Sequence, residues 1–574
     1  MAELRRFGVV DFLLLILILA LAAGVRAGYL ITLCDNGHSP GPLRVQDTRL
    51  ALDRAAGQSG DIIIGPGVRG ARNQGIPDWK VPRLAGYGGV TDLDDLVTDL
   101  KSGNAYRGRT PVETNKEQPS AYTSPGYPWI LGLLGRVLTE ESDLEFAVRW
   151  GQCGLGALAA AFYFLFARRA FGSRLVAILA GIFCAVHPFW VIDTATLDDG
   201  VISTFLLSAV LFFGVRGAQA SGVLSSLLYG LGLAALALVR AALLPFSAAA
   251  FLWYLLRCRE IHRGWLCALL AFLGFANGLA PWMVFNWNRF RDVIPIVDSM
   301  YAAVWEGNYN VSAGGKHYTA TGGPASPDAW LIARTETAGL TRVGRYNHLA
   351  ENVEKEIGRD PTATVNRRIS AGLFFFLGEG WVRDGQFAEN IEDSVADFSV
   401  KYGVAKRAGE RRRLEEENKE ENKKKSAEQR AEEDRRAAEE DREARKADQE
   451  KAEKHKEDVK WVNDVYPIAL SSTMLAMLIL GVLGWRWTYG FRTQAMPASL
   501  AMMLIPIPYI LSHAEFLSGP RLPLDGVLLT YAAFAVGCFI PRLSQYLLAG
   551  ARPAAVRERE VVREQSVPVP VRRR

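Results

Sequence analysis

The sequence predicts an all-α polytopic membrane protein. It should have about ten transmembrane helices, interfacial helices in the first external loop and a long charged helical insertion. Three observations predict this. Long apolar runs recur along the chain, and about 20 helical residues cross a bilayer. In lipid a backbone must satisfy its own hydrogen bonds, which favours a helical bundle. Basic residues gather in alternate links between the runs, as the positive-inside rule requires. The net charge of +5 over 574 residues hides this division, because it averages apolar runs with one very charged block near 401–460.

In order, Arg5 and Arg6 precede an apolar run from Phe7 to Leu33. That run should leave the cytoplasm. Val25-Arg26-Ala27 resembles a signal-peptide cleavage site, but apolar residues resume after Arg26, so residues 1–34 are expected to stay as an anchor. Residues 35–142 then form a first external loop, rich in Gly, Pro and Asp. Within it the short apolar stretch Trp129 to Leu138 carries Arg136 and is too short to span, which suits an interfacial helix. A central bundle follows over 143–285, with spans near 145–167, 174–192, 200–215, 222–239, 241–257 and 264–284. Arg168, Arg169, Arg174, Arg216, Arg257, Arg259 and Arg263 all fall on the cytoplasmic side of that count.

Residues 286–400 are a second external region, where Leu373 to Leu377 marks another short apolar helix at the interface. From Glu410 to Lys460 the chain has no Pro or Gly, and opposite charges recur at spacings of three and four. Such spacing supports an isolated helix. With almost no leucine there is no coiled-coil seam. A solvated single helix over 401–460, about 75 Å long for its Pro-free part, is the expectation, and a disordered polyampholyte is the other reading. Either could act as a spacer or, through 405–458, as an arm for a protein partner. Spans near 463–485, 496–514 and 522–541 make a C-terminal bundle over 461–541. Residues 542–574 are a basic cytoplasmic tail. The six cysteines show no CxxC spacing, so neither a disulfide framework nor a zinc site is indicated.

The chemistry-bearing residues gather at the outer face. Asp92, Asp94 and Asp95 lie in the first loop, and Asp198 and Asp199 at the mouth between two spans. Ionisable groups at the membrane boundary are costly, which makes them functional candidates; a solvated loop is the plain alternative. A divalent ion could bridge such carboxylates, though no spacing requires it. Arg240 and Arg521 sit at lipid-phosphate level, and a guanidinium is a natural fork for phosphate. Snorkelling to the interface is the alternative there. Tyr127, Asn286 and His513 are further pocket candidates.

Several segments, in order, resemble the C-type glycosyltransferases, in particular the bacterial branch akin to protein O-mannosyltransferases and lipid A sugar transferases. They are Leu100-Lys-Ser-Gly103-Asn-Ala-Tyr106, Thr123-Ser-Pro-Gly-Tyr-Pro128, Leu197-Asp198, Pro281-Trp282 with Asn286, Gly307-Asn308, and Arg521-Leu-Pro523. The sequence departs from the family at Gly89-Val90, where an Asp-Glu pair is usual, so the acidic motif shifts to Asp92–Asp95 with Asp47 in reserve. It departs again at Phe285 and Leu522, where Arg and Tyr are usual.

The resemblance implies a polyprenyl-phosphate-linked sugar as donor, used at the extracytoplasmic face of a bacterial-type inner membrane. A loop Asp would act as base, and transfer to an acceptor hydroxyl on protein, lipid or glycan would invert the sugar. Arg240 and Arg521 would contact the donor phosphate, and Asp198 and Asp199 would form a second acidic or metal site. Membrane lipid is a partner and nucleic acid is not. The rival readings are a transporter or lipid flippase, and a membrane scaffold using the charged helix. A transporter would carry polar residues at mid-membrane and paired broken helices.

Overall fold

In a computed structural model the described residues are 8–37, 124–135, 141–220, 222–297, 342–359, 361–377, 460–488, 492–512 and 521–550, with a few positions between 435 and 450. The described regular structure is entirely helical, and the protein is an all-α polytopic membrane protein. The helices are α1 (Val9–Leu33), α2 (Gly126–Gly135), α3 (Glu141–Phe171), α4 (Arg174–Val186), α5 (Pro188–Asp193), α6 (Gly200–Ala220), α7 (Val223–Val239) and α8 (Leu244–Cys258). They continue with α9 (Gly264–Phe290), α10 (Arg342–Arg359), α11 (Pro361–Leu377), α12 (Lys460–Trp487), α13 (Arg492–Leu504), α14 (Pro506–Ser512) and α15 (Leu522–Gly550).

Among the described residues seven helical segments are long and apolar enough to cross a bilayer, and three more apolar helices are shorter. Together they correspond to the ten expected segments. Two differ from expectation in the same way. The segment near 174–192 breaks at His187 into α4 and α5, and that near 496–514 breaks at Ile505 into α13 and α14. Each break precedes a proline, Pro188 or Pro506. A proline ring disfavours helical geometry in the residue before it. Residues 129–135 of the short stretch expected at 129–138 belong to α2, the rest of it lying outside the described residues, and Leu373 to Leu377 ends α11. Positions 435, 436, 439, 442, 443, 446, 447 and 450 of the charged block are helical. Asp47, Asp92, Asp94, Asp95 and His513 lie outside the described residues.

Helix α3 is central, packed on α1, α4 and α6, while α7 packs on α9 and α12 on α15. The α7–α9 contact is built on small residues. A side chain at Gly230 would run into the Ala271 carbonyl, one at Gly274 would sit 2.6 Å from the Leu227 carbonyl oxygen, and one at Gly278 would strike Ala234. Lipid offers helices little hydrophobic drive to associate, so close backbone approach through small residues supplies the attraction. At the end of the bundle holding the start of α1, Asp11 takes Arg168 at 3.2 Å and Arg174 at 2.8 Å. This end has the arginines that sequence parity puts in the cytoplasm. Arg26, buried in α1, donates to the Ala185 and Cys184 carbonyls at 2.9 and 3.3 Å. It thereby caps the last turn of α4, whose carbonyls lose their helical partners at the break. All six cysteines are free.

Candidate active site

The other end of the bundle gathers the polar residues. The link 194–199 between α5 and α6 is held from α3. Gln152 donates to the Thr194 and Thr196 carbonyls at 3.0 and 2.7 Å, and Arg149 donates to Ala195 at 3.0 Å. Arg149 also reaches Gly37 at 3.0 Å, which ties the end of α1 to the same link. Buried backbone carbonyls need such partners, so one polar face of α3 fixes the path of the link. Tyr127 of α2 closes over it and donates to Gln152 at 3.4 Å.

The last residue of α5 and the link together present three buried carboxyls: Asp193, Asp198 and Asp199. Asp199 is paired with Arg240, Nε to Oδ2 at 2.9 Å and Nη2 to Oδ1 at 2.7 Å. Arg240 lies between α7 and the next helix in extended geometry, which turns its side chain out of the helical path. Ser124, just ahead of α2, accepts from the Ala241 amide at 3.0 Å and fixes that break. Gly126 lets α2 approach closely, since a side chain there would lie 2.8 Å from Val239. Ser124-Pro-Gly-Tyr-Pro therefore packs against the Arg240 junction.

Asp198 accepts from the Gly200 amide at 2.8 Å, at the N-terminus of α6, where negative charge is favoured. Asp193 faces Asp198 across Gly200. A side chain at Gly200 would run into Asp193 Oδ2 and come within 3.0 Å of Asp198 Oδ1. Thr196 donates to Asp193 at 2.9 Å. Burial, then the neighbouring Asp199, pushes the Asp198 carboxyl up to about 7, against the Gly200 amide and Arg240, which pull it down. Burial and Asp198 likewise raise Asp193 well above the usual carboxylate range. Close carboxyls buried together disfavour ionisation of both, so Asp193 and Asp198 hold their protons more tightly than ordinary carboxyls do.

A second group adjoins the first through aromatic side chains. Arg240 hydrogen-bonds Tyr509 of α14, and Tyr509 stacks on Phe375 of α11 at 5.6 Å. The next residue, Phe376, gives its carbonyl to Arg521. Arg521 also pairs with Asp525, Nε to Oδ1 at 2.6 Å. Trp190 of α5 donates to the Leu522 carbonyl at 3.0 Å and pins the start of α15 beside the acidic link.

Asp198, Asp199, Arg240, Arg521 and Tyr127 thus lie at one end of the bundle, with Asp199 and Arg240 in direct contact. Asn286 also lies there, but its amide donates to the Ile294 carbonyl at 3.0 Å and holds the chain as it turns back after α9. Asp193, His187 and Asp525 are additions of the structure. Asp193 had a sequence signal, being the first of three acids in the seven residues Asp193-Thr-Ala-Thr-Leu-Asp-Asp199. Asp525 had a weaker one, four residues beyond Arg521. Among the described residues no group of three or more His, Cys, Asp or Glu is placed to hold a metal ion. Both Asp199 oxygens are taken by Arg240, which leaves them poorly disposed to ligate one.

The family model described as dolichyl-phosphate-mannose-protein mannosyltransferase matches residues 119–287. The match spans well under half of the chain, so it is a likeness to that family over this stretch. It covers Tyr127, Asp193, Asp198, Asp199, Arg240 and Asn286, and stops before Arg521 and Asp525. No curated protein and no solved structure matches the chain.

Proposed function

We propose that the protein transfers a hexose, mannose by the description of the matching family, from a polyprenyl phosphate to an acceptor hydroxyl on protein, lipid or glycan. The reaction takes place at the extracytoplasmic face of a bacterial-type inner membrane and inverts the sugar. One observation carries the reading: a buried group of carboxyls and guanidinium lies at one end of the bundle, within the stretch that the family model matches. A transporter would spread polar groups along a path, whereas these gather at an end.

In the reaction the acceptor oxygen attacks the anomeric carbon as the bond to the phosphate oxygen breaks. The bonding electrons leave with the phosphate, and the acceptor proton passes to a carboxylate. A single carboxylate base with no covalent sugar intermediate inverts the centre, by analogy with glycoside hydrolysis. Asp92, Asp94 or Asp95 supplies that base, with Asp47 in reserve. Arg521, which has one unshared nitrogen among the described groups, meets the charge that grows on the phosphate. Arg240 orders the acidic link through Asp199, and Tyr127, Asn286 and His513 border the sugar. A second reading makes Asp198 the base, favoured by its raised proton affinity.

The test is purified full-length protein given radiolabelled polyprenyl-phosphate mannose and candidate acceptors. Label should move to an acceptor, and Asp→Asn at the true base should lower turnover by about 100-fold or more. If Asn at 92, 94, 95 and 47 all leave turnover intact, the base is not in that loop; Asp198→Asn then tests the second reading. Wild-type protein that consumes no labelled donor sinks the transferase reading itself.

A further inference from the structure

At the start of α15, three buried side chains keep polar atoms without a hydrogen-bond partner among the described groups. These are Nη2 of Arg521, Oδ2 of Asp525 and both ring nitrogens of His187. None of the three residues is more than 1 % exposed. Buried polar atoms left in this way are rare and costly. They also lie together. Asp525 Oδ2 is 3.8 Å from His187 Nε2, while Asp525 Oδ1 takes Arg521 Nε at 2.6 Å. The Arg521 guanidinium and the His187 ring lie 5.7 and 5.6 Å from the same Phe189 ring.

The cluster is short of negative charge. Arg521 is balanced by Asp525, and Arg26 stands nearby with its fork on the carbonyls just before His187. A ligand that suits such a cluster must accept from Arg521 Nη2 and bring negative charge. With that charge present, His187 can carry an N–H on each nitrogen, one toward Asp525 and one toward the ligand.

We infer that His187, Arg521 and Asp525 form a cradle for a phosphate oxyanion, in which Asp525 orients the imidazole and His187 and Arg521 donate to the phosphate. The inference rests on the proposed function only in naming the phosphate as that of the departing polyprenyl phosphate. His187 contacts the phosphate and transfers no atom to the sugar.

The test titrates the full chain in lipid nanodiscs with polyprenyl phosphate, the corresponding polyprenol and inorganic phosphate, following binding and thermal unfolding. Wild type should prefer polyprenyl phosphate over polyprenol. His187→Gln and Asp525→Asn should each shrink that preference about 10-fold or more, since hydrogen bonds to charged groups are the strong ones. Polyprenol affinity should not change. Inorganic phosphate should displace polyprenyl phosphate from wild type more effectively than from His187→Gln; if only the lipid form binds, the cradle serves the lipid headgroup and not free phosphate. If His187→Gln fails to fold, His187→Asn takes its place. An unchanged phosphate preference in folded variants, or no binding of either phosphate to wild type, overturns the inference. Sugar transfer is read separately. Transfer with an unchanged phosphate preference sinks the cradle alone, and a His187-dependent preference without transfer sinks the transferase reading alone.

Discussion

Removing one half of the Asp199–Arg240 pair tests whether the acidic link is held by charge. The pair has two charge-assisted bonds, at 2.9 and 2.7 Å, with side-chain exposures of 5 % and 1 %. Two such bonds at about 1.5–3 kcal/mol each give the same order as the about 3–5 kcal/mol seen when one member of a buried pair is deleted. Asp199→Asn and Arg240→Met should each destabilise by that amount. Arg240→Met leaves a buried carboxylate facing Asp198, so it should be the worse of the two. The double variant removes both charges and should be nearer to one single variant than to the sum. The coupling should be at least about 2 kcal/mol, as expected of residues in contact. Reversible unfolding in mixed detergent–SDS micelles, followed by tryptophan fluorescence, reads all four proteins. A double variant destabilised by the full sum of the single ones would refute the view that the pair acts as a unit.

Other perturbations follow from the same geometry. A side chain at Gly156 would meet Arg26 Nε at 2.5 Å. Gly156→Ala should therefore push Arg26 off the α4 carbonyls and cost about 1–3 kcal/mol, yet be nearly neutral in an Arg26→Met background, measured by the same unfolding assay. Burial and Asp199 push the Asp198 carboxyl up to about 7, above its ordinary value of 3.8. The folded state then binds more protons than the unfolded state across that window, so stability should fall as pH rises through it and level off above it. Unfolding midpoints against pH should show this decline, and Asp198→Asn should flatten it. Deleting 405–458 should leave sugar transfer within about two-fold of wild type, because no proposed reacting group lies there; loss of transfer in a folded deletion variant would favour the scaffold reading.

The fold was largely legible because crossing a membrane imposes a length and a charge bias that one sequence carries openly. The breaks at His187 and Ile505 were missed although the signal was present. Pro188 and Pro506 sit inside the expected spans, and average hydropathy does not register a proline. Counting 174–192 as one span also hid His187 inside an apolar segment and left Asp193 just past its end. Arg26 was misleading in another way. Its sequence context resembles a cleavage site, whereas its side chain caps a helix more than 150 residues away. No local pattern encodes a partner at that distance. Asp525 suffered similarly: beside an interfacial arginine it reads as an ordinary i,i+4 neighbour until His187 is brought next to it.

The polar residues expected at one membrane face provide a check on the count that predicted them. Each crossing reverses the chain, so two residues can meet only if an even number of crossings separates them. Asp199 and Arg240 are separated by α6 and α7, and they meet at 2.7 Å. Arg168 and Asp11 are joined at the opposite end, across α1 and α3. Trp190 and the Leu522 carbonyl meet at 3.0 Å, although most of the bundle lies between them in sequence. A single missed or invented span between members of any of these pairs would have put them on opposite sides of the bilayer. For Asp199 and Arg240, the contact agrees with the parity of the described crossings between them. By the same logic, whichever side of the membrane holds Asp198 also holds Arg521.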